Sequence, residues 1–319
     1  MVFVALLMTV ILMLAALTVD LGHVFVVRNQ LQNAADSTAL QGTAYLYPLS
    51  SNAPNWSLAQ SKASNAVPLN KADEVALANA TITPGYWDLT GVNGLRATSI
   101  TPGPNDVPAI QVKISKSAGN NGGSVPLLFG SLMGINTVDL SATAIAVTGS
   151  PKSVQPGDVF PMAMPASDYS AYWNSATGSP KIDPSTGNPY IFNLSEGVQG
   201  GWTSFGTNTN STSALRSLIT NGNPTALNIG DDIWLTNGAK AALYSSVPTN
   251  VDVVVAVTAA ATPGTQQPII GFGAIHIISS SGGSSKTVQV QFTNNLKMSH
   301  DDPGSGTNYG TYTPPRLVR

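Results

Sequence analysis

The sequence predicts an α+β protein that is mostly β. Residues 1–19 contain no charged side chain, which indicates a hydrophobic helix. Residues 20–47 are rich in helix formers and contain no proline, so the same helix is expected to continue to Tyr47. Beyond it, short apolar runs alternate with stretches rich in Gly, Pro and Asn. We therefore expect a long hydrophobic to amphipathic helix at 1–47, an α+β domain with an antiparallel sheet at 48–149, and a β-rich domain of sandwich or barrel type at 150–319.

The first helix is expected to anchor the chain in a membrane. At ~1.5 Å per residue, residues 1–19 would span about 28 Å, which is close to the hydrocarbon thickness of a bilayer. In lipid such a run must be helical, because no water is present to satisfy its backbone. The complete helix, which Pro48 must end, would be roughly 70 Å long.

The position of the first basic residue distinguishes a membrane anchor from a secretory signal peptide. A signal peptide has basic residues ahead of a shorter apolar core. Here the apolar run begins at Met1 and the first basic residue is Arg28. These features favour a plain anchor or a pilin-like helix, from which a basic leader has already been removed.

The second half of the helix has a narrow face of mostly small residues. Residues at spacings of three and four share that face: Leu31, Ala34, Ala35, Thr38, Gly42 and Tyr45. A face of this kind allows close approach of another element. Two alternatives remain open: the face docks onto the protein's own globular part, or it packs against neighbouring subunits.

Two polar residues lie where the helix would leave the lipid. Asp20 and His23 are three positions apart, so their side chains can meet on one face of the helix. We interpret the pair as a polar collar. The alternatives are a proton or ion site, and a contact of Asp20 with the free amino terminus of a neighbouring subunit.

The same region carries a family resemblance. The strings VDLGHVF (residues 19–25) and RNQLQNAADSTAL (residues 28–40) resemble the amino-terminal signature of the TadE/TadG-like proteins of tight-adherence pilus systems. The sequence departs from that signature at Ser37 and Thr38, where Ala is usual. It also has no acidic residue near Ala5, where major pilins carry a glutamate. The resemblance implies a pilus-associated protein in which an antiparallel sheet packs against the long helix.

The residues of 48–149 predict the elements of the α+β domain. A short helix is expected at Ser57–Val67, and a helical piece at Pro126–Met133. Alternation of apolar and polar residues predicts that Val138–Val147 is a strand whose even-numbered residues face inward. The other expected strands are Val75–Thr81, Gly85–Leu89, Leu95–Ile100 and Ala109–Ile114.

Residues 150–319 predict short strands joined by long polar loops. Ser150–Asp158 is expected to be a linker, and Ser211–Thr220 a helix with Leu215 on its apolar side. The tail after His300 is expected to be extended, because Pro314 and Pro315 disfavour a regular strand. The expected strands are Phe160–Met164, Tyr190–Leu194, Asp232–Leu235, Val251–Thr258, Ile269–Ile278 and Thr287–Phe292.

The composition and motifs of the chain disfavour several classes of catalytic and binding site. The chain has no cysteine and only three histidines, so it can form no disulfide or thiolate site. It carries none of the common motifs for hydrolases, zinc proteases or nucleotide binding, and its net charge of −2 does not favour nucleic acid. His276 is expected to be a hydrogen-bonded strand residue. Whether a cation binds at Asp231, Asp232, His300, Asp301 or Asp302 is left open, and no cofactor is expected.

Two functional hypotheses follow. The first is a non-enzymatic structural subunit of a cell-surface filament, in which the amino-terminal helices bundle as the core and the β-rich domains form the outer surface. The second is a membrane-anchored assembly or adhesion protein whose distal domain binds another pilus protein or a surface ligand. We favour the first, with inner-membrane anchoring before assembly and copies of the chain as partners. The residues expected to make the helix contacts are Met1, Phe3, Leu6, Leu7, Ile11, Leu14, Asp20, His23, Leu31, Ala35, Thr38 and Gly42.

Overall fold

A computed structural model gives the fold of the chain. It describes residues 2–47, 54–103, 105–174, 179–194, 200–237, 241–283, 286–294, 296–298 and 301–318. Met1, Pro48 and His300, which figure in the expectations above, lie outside these described residues.

One uninterrupted helix opens the chain, as expected. This helix, α1, spans Val2–Thr43 and has 42 residues. It ends before Tyr47 because the chain turns there: the backbone N–H of Tyr45 donates to Gly42 and that of Leu46 donates to Thr43. The turn places the Leu46 side chain in the core, where it is fully buried. A tertiary contact therefore sets the end of the helix ahead of the proline.

The first domain is an antiparallel sheet covered on one face by helices. Its sheet has the order β24 (Arg316–Leu317), β8 (Leu140–Val147), β5 (Asp106–Lys116), β3 (Thr81–Asp88) and β4 (Leu95–Arg96), with α1 and a second helix, α2 (Trp56–Ala66), packed on it. Side chains from α1, α2 and the sheet form one core cluster, which includes the inward residues Ala142, Ala144 and Ala146, as the alternation predicted. The elements of this region are α2 (Trp56–Ala66), a 3₁₀ turn (Val67–Leu69), β1 (Lys71–Ala72), β2 (Val75–Ala76), β3 (Thr81–Asp88), β4 (Leu95–Arg96), β5 (Asp106–Lys116), β6 (Val125–Pro126), a 3₁₀ turn (Gly130–Met133), β7 (Thr137–Val138) and β8 (Leu140–Val147).

Several strand boundaries in this domain differ from the prediction. Val75–Thr81 is not one strand: Val75–Ala76 belongs to the small β1–β2 hairpin, and β3 begins only at Thr81. Strand β3 runs through Pro84, which is tolerated because the neighbouring β4 pairs only with Tyr86 and Trp87 and leaves that edge free. The helix expected at Pro126–Met133 is reduced to one 3₁₀ turn.

The second domain contains most of the strands. Its elements are β9 (Ser150–Pro151), β10 (Ser153–Val154), β11 (Val159–Pro165), α3 (Ala166–Tyr172), β12 (Trp173–Asn174), β13 (Ser179–Pro180), β14 (Ile191–Leu194), β15 (Gly201–Phe205), α4 (Thr212–Asn221), β16 (Leu227–Asn228), β17 (Asp232–Leu235), α5 (Ala241–Tyr244), β18 (Val251–Thr258), β19 (Gln266–Ser281), β20 (Thr287–Phe292), β21 (Leu296–Lys297), β22 (Pro303–Gly304), β23 (Thr311–Tyr312) and β24 (Arg316–Leu317). Strands were expected at the positions of β11, β14, β17, β18, β19 and β20. The strand β15 and the helix α3 were missed.

The main sheet of this domain closes into a barrel-like ring. Its order is β14-β20-β19-β17-β15-β11-β18, and β18 also pairs with β19. Within the ring, β11 and β18 run parallel and the other neighbours run antiparallel. Val254 and Ala256 contribute to one core cluster, and Val255 and Val257 to another, so both faces of β18 are buried. Of the two architectures expected, the chain adopts the barrel.

The two domains are connected at more than one place. The expected linker Ser150–Asp158 is part of the fold, because β9 pairs with β22 and β10 pairs with β16. The last strand, β24, returns to the first domain and pairs with β8. The prolines did not exclude a strand in the tail; β24 begins directly after them. Residues 316–317 therefore belong to the first sheet, although the prediction placed them in the distal domain.

Candidate functional site

The helix α1 divides into an exposed apolar half and a buried half. Every residue from Val2 to Val19 except Ala16 is exposed, whereas Asp20 is buried. After it, one face of the helix is covered by the sheet and α2. The helix is long and apolar enough to cross a membrane, and no residue of its most apolar window is buried by the rest of the described chain.

The predicted contact residues fall into these two halves. In the first half Phe3, Leu6, Leu7, Ile11 and Leu14 are all exposed, from 53% for Leu7 to 79% for Phe3. In the second half the predicted contact residues are buried within the same chain: Leu31, Ala35, Thr38 and Gly42.

Gly42 shows how close the packing in the second half is. A Cβ at this position would lie 2.8 Å from the Cβ of Ala63 in α2 and 3.1 Å from the carbonyl oxygen of Ala59. The small-residue face therefore docks onto the protein's own domain. The second alternative, packing of these residues against neighbouring subunits, does not fit this geometry, because their side chains are already covered.

Asp20 and His23 do not form the expected pair. The carboxylate of Asp20 accepts the backbone N–H of Leu128 at 2.8 Å and that of Phe129 at 3.0 Å. The imidazole Nε2 of His23 lies 3.0 Å from the Asp73 carboxylate instead. The helical spacing places Asp20 and His23 on one side of α1. Each side chain nevertheless binds a group that is distant in sequence, the 128–129 backbone for Asp20 and the Asp73 carboxylate for His23. Since Asp20 is buried and engaged within the chain, its contact with a neighbour's amino terminus is not supported.

The partner of His23 belongs to a small polar cluster. Asp73 lies at the tip of the β1–β2 hairpin, and its backbone N–H donates to the Gln30 side chain at 2.8 Å. The ammonium of Lys116, which is fully buried, is 3.9 Å from the second oxygen of Asp73 and donates to the Asn121 carbonyl at 2.9 Å. This cluster joins α1, the hairpin and β5, which is a structural role.

A loop of the first domain lies beside the exposed half of α1. We call residues 127–136, between β6 and β7, the 127–136 loop. Its side chains Leu128, Phe129, Met133 and Ile135 are exposed. Between this loop and α1 lies an apolar groove of about 490 Å³, lined by residues such as Met13, Leu17 and Val24 on one side and Phe129, Met133 and Ile135 on the other. The sequence predicts this segment only as a helical piece, and its one other signal is a run without charged residues.

Three of the other candidate residues, His276, Asp231 and Asp302, are engaged in ordinary structural bonds. The Nδ1 atom of His276 lies 2.7 Å from the Asp252 carboxylate on the neighbouring strand, so its assignment as a hydrogen-bonded strand residue is confirmed. Asp231 accepts the backbone N–H of Asn228, and Asp302 pairs with Arg316. Among the residues that the structure describes, no group of three or more His, Asp or Glu side chains could hold a metal ion.

The aromatic residues of the second domain are core residues. Tyr169, Trp173 and Phe292 pack together, with centroids of Tyr169 and Phe292 4.1 Å apart. The Tyr169 hydroxyl donates to the Tyr309 carbonyl, and burial raises its pKa well above the usual value. Burial also raises the pKa of the nearby Asp168 carboxyl to about 6. These side chains are therefore not available as a surface for stacking sugars.

Two models of known protein families match this chain, and both matches lie within α1 and the first domain. Residues 1–44 match a family model described as putative Flp pilus-assembly TadE/G-like. Residues 28–146 match a second model, described as putative Tad-like Flp pilus-assembly. No curated protein and no solved structure matches the chain. The two matches together end at residue 146, near the end of β8.

Proposed function

Because residues 1–146 of this chain belong to the TadE/G-like family of Flp pilus-assembly proteins, we propose that it is a non-enzymatic structural subunit of a Tad pilus. The family and the apolar helix make the chain a pilus-associated, membrane-anchored protein of the cell envelope. In the proposal, α1 holds the subunit in the inner membrane before assembly. It then packs with the helices of other copies in the core of an extracellular filament.

The observation that carries the proposal is the uncovered half of α1. Burying a large apolar side chain contributes about 1.5–3 kcal/mol, so a row of such side chains left in water would be strongly unfavourable. The chain buries α1 only from Asp20 onward and, apart from the half-buried Ala16, leaves every residue of Val2–Val19 exposed. Lipid can cover this surface before assembly and neighbouring helices can cover it afterwards.

One side of the exposed half suits helix packing. Phe3, Leu7, Ile11 and Leu14 follow one another at spacings of three and four, so they form a continuous apolar stripe, whose last member also borders the groove beside the 127–136 loop. Leu12 lies on the opposite side of the helix, toward Phe129 of the 127–136 loop. A second copy is therefore expected on the stripe and the first domain on the other side.

The two domains supply the proposed outer surface. The first domain is fixed to α1 by the buried face of the helix, and the distal barrel is fixed to the first domain by β24 and the paired linker. Both domains would therefore be carried outside a core of bundled helices. Other pilus proteins are further partners in this proposal.

Fractionation of the native cells tests the filament role. Surface filaments are sheared from cells, collected, and probed for this chain beside detergent-extracted membranes. The proposal expects the chain in both fractions, with the sheared fraction absent when pilus assembly is blocked. Recovery from membranes alone would contradict the filament role and favour the membrane-anchored assembly or adhesion protein.

A further inference from the structure

We propose that the 127–136 loop inserts into the lipid bilayer beside α1 and seats the first domain on the membrane. The ligand is the hydrocarbon of the leaflet that faces the folded domains. This inference rests on the membrane anchoring of α1 and adds a second point of contact, which no family match assigns.

The depth of the loop follows from its contacts with the helix. Phe129 shares an apolar groove with Leu12, Met13, Ala16 and Val19. At ~1.5 Å per residue, Val2–Val19 is about 27 Å long and fills the hydrocarbon layer, so Leu12–Val19 occupies its outer ~10 Å. A side chain packed beside these residues lies at the same depth. Phe129 is therefore inside the hydrocarbon whenever α1 spans the bilayer.

The composition of the loop suits that depth. Residues 117–138 contain no charged side chain. Leu128 is 67% exposed and Met133 is 74% exposed, which is unusual for large apolar residues in a folded domain in water. Transfer of these side chains from water to lipid is favourable.

Several backbone N–H groups of the loop are satisfied in the way that a lipid environment requires. Non-helical backbone is tolerated at membrane depth only where its polar groups are satisfied within the protein. The N–H groups of Leu128 and Phe129 donate to Asp20, that of Leu127 donates to the Asn136 carbonyl, and that of Ile135 donates to the Gly130 carbonyl. Asp20 thus serves as an acceptor for backbone donors at the edge of the membrane.

Two glycines allow the loop to turn within this short span. Gly134 has a φ of +76°, a left-handed conformation in which a side chain would be strained. A Cβ on Gly130 would collide with the carbonyl oxygen of Ile135. The chain can therefore reverse direction beside the helix and keep its apolar side chains outward.

Lipid fits the exposed residues better than a helix from a second copy. A helix seated in the groove between α1 and the loop would cover Phe129 and Met133, which line the groove. Leu128 lines neither of the two apolar grooves beside α1 and is still exposed. A surrounding bilayer covers Leu128 as well, and the loop surface is continuous with the apolar surface of α1.

Spin labels at single cysteines test the insertion, and the absence of native cysteine makes the labelling clean. The full chain is reconstituted into palmitoyl-oleoyl phosphatidylcholine vesicles with a nitroxide at one of four positions. Met133→Cys and Leu128→Cys report on the loop, and Leu7→Cys reports on α1. Val92→Cys is the matched control, since Val92 is 83% exposed and apolar but lies at the far end of the first sheet.

The readout compares collisions of the label with oxygen, which partitions into lipid, and with a polar nickel chelate, which stays in water. The inference expects oxygen to dominate at 7, 128 and 133 and the nickel chelate to dominate at 92. A nickel-dominated signal at 128 and 133, with an oxygen-dominated signal at 7, would overturn the loop insertion and leave the anchor intact. Protection of 128 and 133 from both reagents would also overturn it, in favour of a protein neighbour. A nickel-dominated signal at 7 would overturn the anchor itself, and the insertion with it.

Discussion

The carboxylate of Asp20 in α1 accepts the backbone N–H of Leu128, 108 residues later in the chain, at 2.8 Å. This bond and its neighbour to Phe129 attach the 127–136 loop to the helix where the exposed half meets the buried half. A single acidic residue thereby holds this loop at the level of Asp20, while the buried face of α1 fixes the rest of the first domain.

Replacing Asp20 should release the loop. In Asp20→Ala, two partly buried N–H donors lose their acceptor, which is expected to destabilise this region by about 1 kcal/mol. Asp20→Asn keeps one amide oxygen and should give a smaller effect. Hydrogen exchange of the Leu128 and Phe129 amides in detergent-solubilised chain measures the change. Asp139→Ala, at an exposed acidic residue in the segment joining β7 and β8, is the control and should leave both amides protected. Unchanged exchange in Asp20→Ala would contradict this role of Asp20.

The apolar stripe on α1 should bring copies of the chain together. Leu7→Cys and Leu12→Cys lie on opposite sides of the helix and are similarly exposed, at 53% and 65%. Oxidation in native membranes or sheared filaments should yield disulfide-linked dimers with Leu7→Cys and few with Leu12→Cys, because Leu12 faces the chain's own loop. Non-reducing gels measure the dimer fraction. Equal cross-linking of the two variants would indicate random encounters of the helices.

Gly42 and Gly22 should respond in opposite directions to the same substitution. In Gly42→Ala the new methyl group meets the Ala63 Cβ, and overpacking of this kind typically costs about 1–3 kcal/mol. In Gly22→Ala nothing lies within 4 Å of the new Cβ, so the helical preference of alanine should stabilise the chain by about 0.5–1 kcal/mol. Thermal unfolding in detergent compares the two variants. A destabilised Gly22→Ala with an unaffected Gly42→Ala would show that the docking of α1 is described wrongly.

Asp168 should make stability fall as the pH rises. Burial raises its pKa from 3.8 to about 6 in the folded chain. Between about pH 4 and pH 6 the folded state therefore binds more protons than the unfolded state, so stability decreases with increasing pH in that window. Asp168→Asn should remove this decrease and stabilise the chain above pH 6 by at most about 3 kcal/mol. Denaturant unfolding as a function of pH measures the effect.

Asp183 provides the control of opposite sign. Hydrogen bonds from the Ser185 hydroxyl and backbone lower the pKa of the Asp183 carboxyl. Its contribution is therefore present above the unfolded pKa and is lost as the pH falls through the folded pKa. Asp183→Asn should flatten the acid side of the profile and leave the window above pH 4 unchanged.

A pH profile of Asp168→Asn that matches the unsubstituted chain would show that the Asp168 carboxyl is not held in an apolar environment.

The sequence predicts a strand correctly where a continuous run of apolar, β-branched residues marks it. Val251–Thr258 was predicted with the bounds that the structure has, because an apolar β-branched run of that length can only be a buried strand in this context. Gly201–Phe205 was missed, although it is a fully buried strand of the ring. Its glycine, threonine and serine have no alternation or β-branched run that would indicate a strand. They are buried because β11 and β17 pair on either side.

The long helix, its apolar first half and the similarity of residues 1–146 to TadE/G-like Flp pilus-assembly proteins can be read from the amino-acid sequence alone. These properties depend on hydrophobicity and periodicity within short windows, so they are independent of how the rest of the chain folds. Only the tertiary structure decided the partners of Asp20 and His23, the closure of β18 onto β19 and the return of β24 to the first sheet. Each of these joins groups that are far apart in the chain, and many alternative partners satisfy the same local pattern. Which partner is chosen depends on the packing of the whole core.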